Sequence, residues 1–170
     1  MELINTIQAM QNLGADVVKQ GRAILKRKKK TTNKNTLYND FGYNVTSNGK
    51  EVDIEWFFGD AEDYWEFIDE GVVGVGGFKG KGKARGHGSS FRFKYANPGG
   101  KLITALKKWT KNKSISDKFI WGIGYNIKRK GLERTQFFST PYKKLGSSRA
   151  DDIAKAFADD IEIELKNKLK

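Results

Sequence analysis

The chain has 170 residues, with 32 Lys and Arg against 20 Asp and Glu, a formal net charge of +12, one His and no Cys. That length suits one domain of ordinary size, and a composition 38% hydrophobic and 31% charged belongs to a globular chain, not a disordered one. Without cysteine there is no disulfide scaffold, thiolate zinc site or Cys nucleophile, and the lone His87 excludes HExxH zincins, multi-His metal centres and HNH-type nucleases.

The first segment, MELINTIQAM, has no basic n-region and reads as no signal peptide. No stretch of about 18 apolar residues occurs, so no transmembrane helix and no membrane partner are expected, and the protein reads as soluble. The surplus of cations attracts polyanions and keeps copies apart until a partner neutralises them. Nucleic acid, an acidic protein surface and an anionic membrane all satisfy it on composition alone.

Residues 1–27 predict one amphipathic helix. Leu3, Ile7, Met10, Gly14, Val17, Gly21 and Ile24 recur every three or four positions, and Ile4, Leu13, Val18 and Leu25 widen the stripe. Gly14 and Gly21 lie on that stripe and point to close helix packing, which offsets their poor helix propensity. The helix ends in Lys26, Arg27, Lys28, Lys29 and Lys30, suited to the negative end of the macrodipole, and a polar linker over 31–35 follows.

Leu37, Phe41, Tyr43 and Val45 alternate with polar residues, as do Val52, Ile54, Trp56 and Phe58, with Asn48-Gly49 between the runs. This predicts a β-hairpin with a type I′ turn, because both turn residues then need positive φ. The acidic, aromatic stretch 60–68 fits either a short helix or a third strand. From Gly71 to Gly88 the chain is rich in Gly, Lys and Arg and predicts a flexible loop, placed over 71–90.

Ser90–Tyr95 alternates as a strand, and Asn97-Pro98-Gly99-Gly100 breaks it. Leu102, Ile103, Leu106 and Trp109 mark a short basic helix. Residues 115–130 predict another, with Ser116 as cap and Gly131 as stop. Phe137–Pro141 reads as extended or turn, and Ser148 as the cap of a final helix through Ala150, Ile153, Phe157, Ile161 and Leu165. The fold class expected is α+β: a small antiparallel sheet with a long N-terminal helix, packed helices and a C-terminal helix, as one domain over 1–146 followed by the helix 147–170.

Among candidate sites, Lys79, Lys81, Lys83 and Arg85 in the loop read as an arm that contacts phosphates or docks on a partner, ordering on binding. The loop is no P-loop, because Gly80-Lys81 is followed by Gly82 and the magnesium-binding hydroxyl is missing. Lys26, Arg27, Lys28, Lys29 and Lys30 form a second basic candidate. Most aromatics fall on alternating or helical faces and read as core, not as stacking platforms. Asp60, Glu62, Asp63, Glu66, Asp69 and Glu70 read as an acidic patch facing a partner or the basic loop, with Asp63, Glu66, Asp69 and Glu70 the candidates for a contact between subunits, and Asp151, Asp152, Asp159 and Asp160 read as helix-surface charges. No catalytic residue, cofactor site or metal site is expected.

Tyr64-Trp65-Glu66-Phe67-Ile68-Asp69-Glu70-Gly71, followed by a Gly-rich basic loop, resembles the tail-completion and head–tail joining (neck) proteins of tailed bacteriophages. Ile127–Phe138, a helix end, a Gly and then Thr135-Gln136-Phe137-Phe138, is similar to a later element of the same family. The resemblance implies a connector-like, non-enzymatic virion subunit, made in the host cytoplasm, that forms a ring through which DNA passes. Its partners are then other copies of itself, the portal, connector or tail proteins, and packaged DNA. The acidic residues in 60–70 and the basic residues in 79–85 would pair between neighbouring copies. The alternative of another class is a basic nucleic-acid-binding protein acting as monomer or dimer.

Overall fold

The computed structural model describes residues 2–28, 36–75, 86, 88–112 and 114–169. The fold is α+β, mostly helical, with a long helix near each end and a small antiparallel hairpin. Two compact units divide it: residues 1–65 with 136–170, and residues 66–135.

The first unit is built on two antiparallel helices. Helix α1 (Ile4–Arg27) buries Leu13, Val17, Val18 and Leu25 along the predicted stripe. Helix α6 (Ser139–Lys168) runs alongside it. The side chain of Arg149 on α6 pairs with Asp16 on α1, and eleven residues further along α6 the Asp160 carboxylate meets Asn5 and Thr6, the same eleven residues back along α1. Ser148 does not start a helix. It lies inside α6, where its hydroxyl donates to the Leu145 carbonyl at 3.2 Å, the back-bonding habit of a serine in mid-helix, so the expected boundary at 146/147 falls within one continuous helix.

Leu37 and Phe41 belong to no strand: a short helix, α2 (Thr36–Asp40), takes Leu37, and Phe41 follows it. The Arg22 guanidinium donates to the carbonyls of Asn39 and Phe41, a cation at the end of that turn. The hairpin pairs β1 (Gly42–Ser47) with β2 (Val52–Phe57) in the register Tyr43↔Trp56 and Val45↔Ile54. Its connection is a four-residue loop and no type I′ turn, since Gly49 has φ +80° but Asn48 does not share it. Asn48 instead uses its side chain, whose oxygen accepts from the amides of Lys50 at 3.0 Å and Glu51 at 2.9 Å.

Aromatic rings fill this unit. Phe41 is fully buried and stacks on Phe58 at 5.3 Å, while Phe58 stacks on Trp65 at 4.1 Å and Phe138 meets Trp56 edge-on at 5.2 Å. Each such pair contributes about 0.5–1.5 kcal/mol beyond burial. The two glycines of α1 serve this packing. A Cβ on Gly21 would sit 2.7 Å from the Phe41 ring and 2.8 Å from the Phe137 carbonyl, and one on Gly14 would enter the ring of Tyr43. The close approach is therefore to the hairpin and its flanks within the same chain.

In the second unit, α3 (Trp65–Glu70) leads into β3 (Val72–Val73), which pairs antiparallel with β4 (Gly131–Leu132). Ser90–Tyr95 makes no ladder: a single parallel bridge joins Arg92 to Val73. The alternation still sorts its faces, with Phe91 and Phe93 half-buried and Arg92 and Lys94 exposed. Helices α4 (Gly100–Asn112) and α5 (Ile120–Lys130) pack through Ile103, Leu106 and Ile120. Gly131 ends α5 as expected, with φ +82°.

Candidate functional site

The two stretches that carry the family resemblance meet in the second unit. Val72↔Leu132 and Val73↔Gly131 pair them as strands. The Thr135 hydroxyl donates to the Ile68 carbonyl at 2.7 Å, sixty-seven residues away in sequence, and the Thr135 amide adds bonds to the carbonyls of Ile68 and Asp69. Gly71 sits at the centre with φ +74°, and a Cβ there would be 2.6 Å from the Leu132 carbonyl, so only glycine fits this joint.

The acidic candidates do not form one patch. Asp69 is buried at 2% exposure and cannot face a neighbouring subunit from there, and Glu70 accepts a bond from the Ser90 hydroxyl at 2.9 Å. Asp63 and Glu66 remain on the surface. Of the basic candidates, Lys26, Arg27 and Lys28 are exposed at the end of α1, while Lys29, Lys30, Lys79, Lys81, Lys83, Arg85 and the unassigned His87 lie outside the described residues.

Charge is divided sharply between the units. Residues 66–135 hold sixteen Lys and Arg against five Asp and Glu, a surplus of eleven, whereas the remaining hundred residues hold sixteen against fifteen, a surplus of one. The cationic character of the chain is thus a property of its second unit.

In that unit the expectation that aromatics are core is overturned. On and beside α5, Phe119 is 54%, Trp121 62% and Tyr125 44% exposed. Helical spacing sets Lys118, Trp121, Gly122, Tyr125 and Arg129 on one face. The opposite face holds Ile120, Ile123, Gly124 and Ile127, and Gly124 is where Pro98 rests. Gly122 has nothing within 4 Å of a would-be Cβ, so no packing requires it. Lys118 and Arg129 are exposed beside the rings, and the Lys128 ammonium lies 4.4 Å over Phe93.

The first unit carries a second surface that sequence reasoning missed. Asp160 is no surface charge: it is 2% exposed, and its two oxygens accept four bonds, from the amides of Asn5 and Thr6, the Asn5 side-chain amide and the Thr6 hydroxyl, at 2.8–3.0 Å. It caps the start of α1, which has no side-chain cap of its own. Burial alone would raise its pKa, but the bonds from Thr6 and Asn5 outweigh that and hold the carboxyl below its ordinary value. Beyond Asp160, α6 runs about two turns, roughly 11 Å, past the start of α1. Ile163 on this overhang is 52% exposed and Ile4, at the start of α1, 63%, while Leu165, two residues from Ile163, is exposed on the opposite face of α6. A concavity of about 320 Å³ is lined there by Glu2, Ile4, Asn5, Asp160, Ile163 and Glu164, with Asn167. The acidic run Asp159, Glu162 and Glu164 was the one available signal.

Among the described residues, no group of three or more His, Cys, Asp or Glu is placed to hold a metal ion, and no helix is long and apolar enough to cross a membrane. Comparison with family models, with curated proteins and with solved structures gives no match.

Proposed function

We propose that this chain is a structural, non-enzymatic subunit of a tailed-bacteriophage virion, assembling into a ring in the neck or tail-completion complex through which DNA passes. The observation that carries the reading is the β3–β4 joint. Two stretches that separately resemble the neck proteins are tied by strand pairing and by Thr135 into one element, directly beside the Gly-, Lys- and Arg-rich segment. The division of charge agrees with it, since a body of near-zero net charge joined to a strongly basic unit suits a subunit that contacts its own kind while bordering a polyanion.

Mass spectrometry of purified particles, scaled to the portal protein, tests this. A fixed copy number of about six or twelve, as closed cyclic symmetry requires, is the expected result. Charge reversal at Lys79, Lys81 and Lys83 is then expected to block assembly while leaving the chain folded.

The exposed rings of α5 favour a second reading, a nucleic-acid-binding protein acting outside a ring. Absence from particles, with binding to DNA that weakens steeply and linearly in log salt, selects that reading.

A further inference from the structure

The uncovered face of α5 combines flat rings with unpaired cations. Trp121 is 62% and Tyr125 44% exposed, and they stand one helical turn apart, roughly 6 Å. Neither ring pairs with another among the described residues, whereas Phe67 and Phe91 of the same unit meet edge-on at 4.6 Å. Side chains on a helix lean towards its start, so Tyr125 lies over the turn that holds Trp121 and Gly122. Gly122 has nothing within 4 Å of a would-be Cβ, which leaves room beside the Tyr125 ring. Phe119, two residues before Trp121, falls on another side and takes no part.

Cations border these rings and acids do not. Residues 92–130 hold eleven Lys and Arg and a single acid, Asp117. Arg129 stands one turn beyond Tyr125, and Lys118 three residues before Trp121, its ammonium 5.2 Å over Phe119. Both are exposed, and neither has a carboxylate partner among the described residues. On the flank, residues 93–98 run along α5, with the Lys128 ammonium 4.4 Å over Phe93 and Pro98 against Gly124. Between those two contacts Tyr95 is 75% exposed, with Lys94 exposed beside it.

We propose that this face is a stacking platform for single-stranded nucleic acid. Bases lie on Trp121, Tyr125 and Tyr95, and Lys94, Lys118 and Arg129 meet the phosphates between them. Open aromatic faces suit bases of any sequence, and cations without carboxylate partners suit a polyanion. A duplex stacks its bases on one another at about 3.4 Å per nucleotide, so rings roughly 6 Å apart meet only bases that have come apart. A membrane surface would need a continuous apolar stripe, and Gly122, Asn126 and Arg129 interrupt it here. The inference rests on the reading that the chain binds nucleic acid, and gives that reading its site and its substrate class. It holds whether or not copies close into a ring.

The full chain is titrated with oligo-dT and oligo-rU of about 12 nucleotides and with a duplex of the same length, reading tryptophan emission and the anisotropy of labelled strands. Single strands are expected to bind and to quench emission. Trp121→Phe, which keeps a ring, should remove the quench and retain most of the affinity. Trp121→Ala and Tyr125→Ala, with helical content checked by circular dichroism, should each weaken single-strand binding roughly tenfold. Arg129→Gln should lower the slope of log affinity against log salt by about 0.7. Tighter binding of oligo-dT or of oligo-rU supports the site in either case and says which nucleic acid it serves.

A duplex bound as tightly as a single strand, with Trp121→Ala without effect, overturns the platform and leaves binding by the basic surface standing. No binding of either form overturns the platform and the nucleic-acid reading together. Emission that shifts to the blue on vesicles of anionic phospholipid, is lost in Trp121→Phe and does not respond to oligonucleotides overturns it in favour of a membrane surface.

Discussion

The two units differ in what holds them and in what they present. Among the described residues, the first buries ten apolar side chains, including Phe41, Phe58 and Phe137, and the second buries four, Val72, Ile103, Leu106 and Ile120. The first is near neutral, and the second carries a surplus of eleven cations on seventy residues. Burial is the main favourable term and like-charge repulsion opposes it. The first unit is therefore built to be rigid. The second sits closer to the edge of stability and carries its chemistry outward, and a partner that neutralises it also stabilises it.

That contrast can be broken most directly at Phe41. Phe41→Ala removes a fully buried ring with stacked and edge-on neighbours and is expected to cost about 3–5 kcal/mol, read as a shift in the denaturation midpoint of α1 and α6. Asp160→Ala follows, at about 2 kcal/mol or more, since it leaves the start of α1 with unmet buried donors. Its pH dependence has a definite sign. A depressed carboxyl stabilises the fold above the unfolded-state pKa of about 3.9, and the contribution disappears as pH falls through the lower folded-state value. Acid titration of the wild-type chain and Asp160→Asn should therefore converge at low pH and diverge above it; parallel curves would remove the carboxylate from the account.

Glycines sharpen the comparison. Gly21→Ala meets Phe41 and a backbone carbonyl and is expected to destabilise the first unit by about 1–3 kcal/mol. Gly122→Ala meets nothing and is expected to stabilise α5 by about 0.5–1 kcal/mol. Salt acts on the second unit alone. Raising ionic strength from about 0.05 to about 0.5 M shortens the screening length from roughly 14 to roughly 4 Å, which should slow amide exchange in α4 and α5 and leave α1 and α6 unchanged. The smallest effect is expected from Lys166→Ala. It breaks an exposed pair whose bond and charge hold the Glu162 carboxyl below its ordinary value, and the melting temperature should not move measurably.

Local pattern carried much of this architecture. The stripe from Leu3 to Leu25 set α1 to within a few residues, and alternation across Asn48-Gly49 set the hairpin. Where reading failed, a distant partner decided. Leu37 and Phe41 fit a strand by alternation and a helical turn by their spacing of four, and the turn prevailed because it aims Phe41 into the ring cluster. Residues 90–95 have strand alternation but only one bridge, since β3 offers too short an edge. Ser148 has the chemistry of a cap, yet a helix already passing through it uses its hydroxyl on Leu145. Asp160 looked like its acidic neighbours because burial depends on Thr6, 154 residues earlier. The exposed rings on α5 were hidden for the same reason: periodicity finds an apolar face, and here two faces of α5 carry large apolar side chains and one of them has no cover.

The cap on α1 has a consequence for the order in which the chain takes shape. Its donors precede their acceptor by 155 and 154 residues, so α1 is made well before the carboxylate that caps its start. The second unit, continuous from 66 to 135, has all its parts while the first still lacks α6. During synthesis the basic unit can therefore close first, and the body that is more fully packed in the finished protein is completed only when its final helix arrives. Truncation within the last turns of α6 would be felt at the opposite end of the sequence, as loosening of residues 4–6.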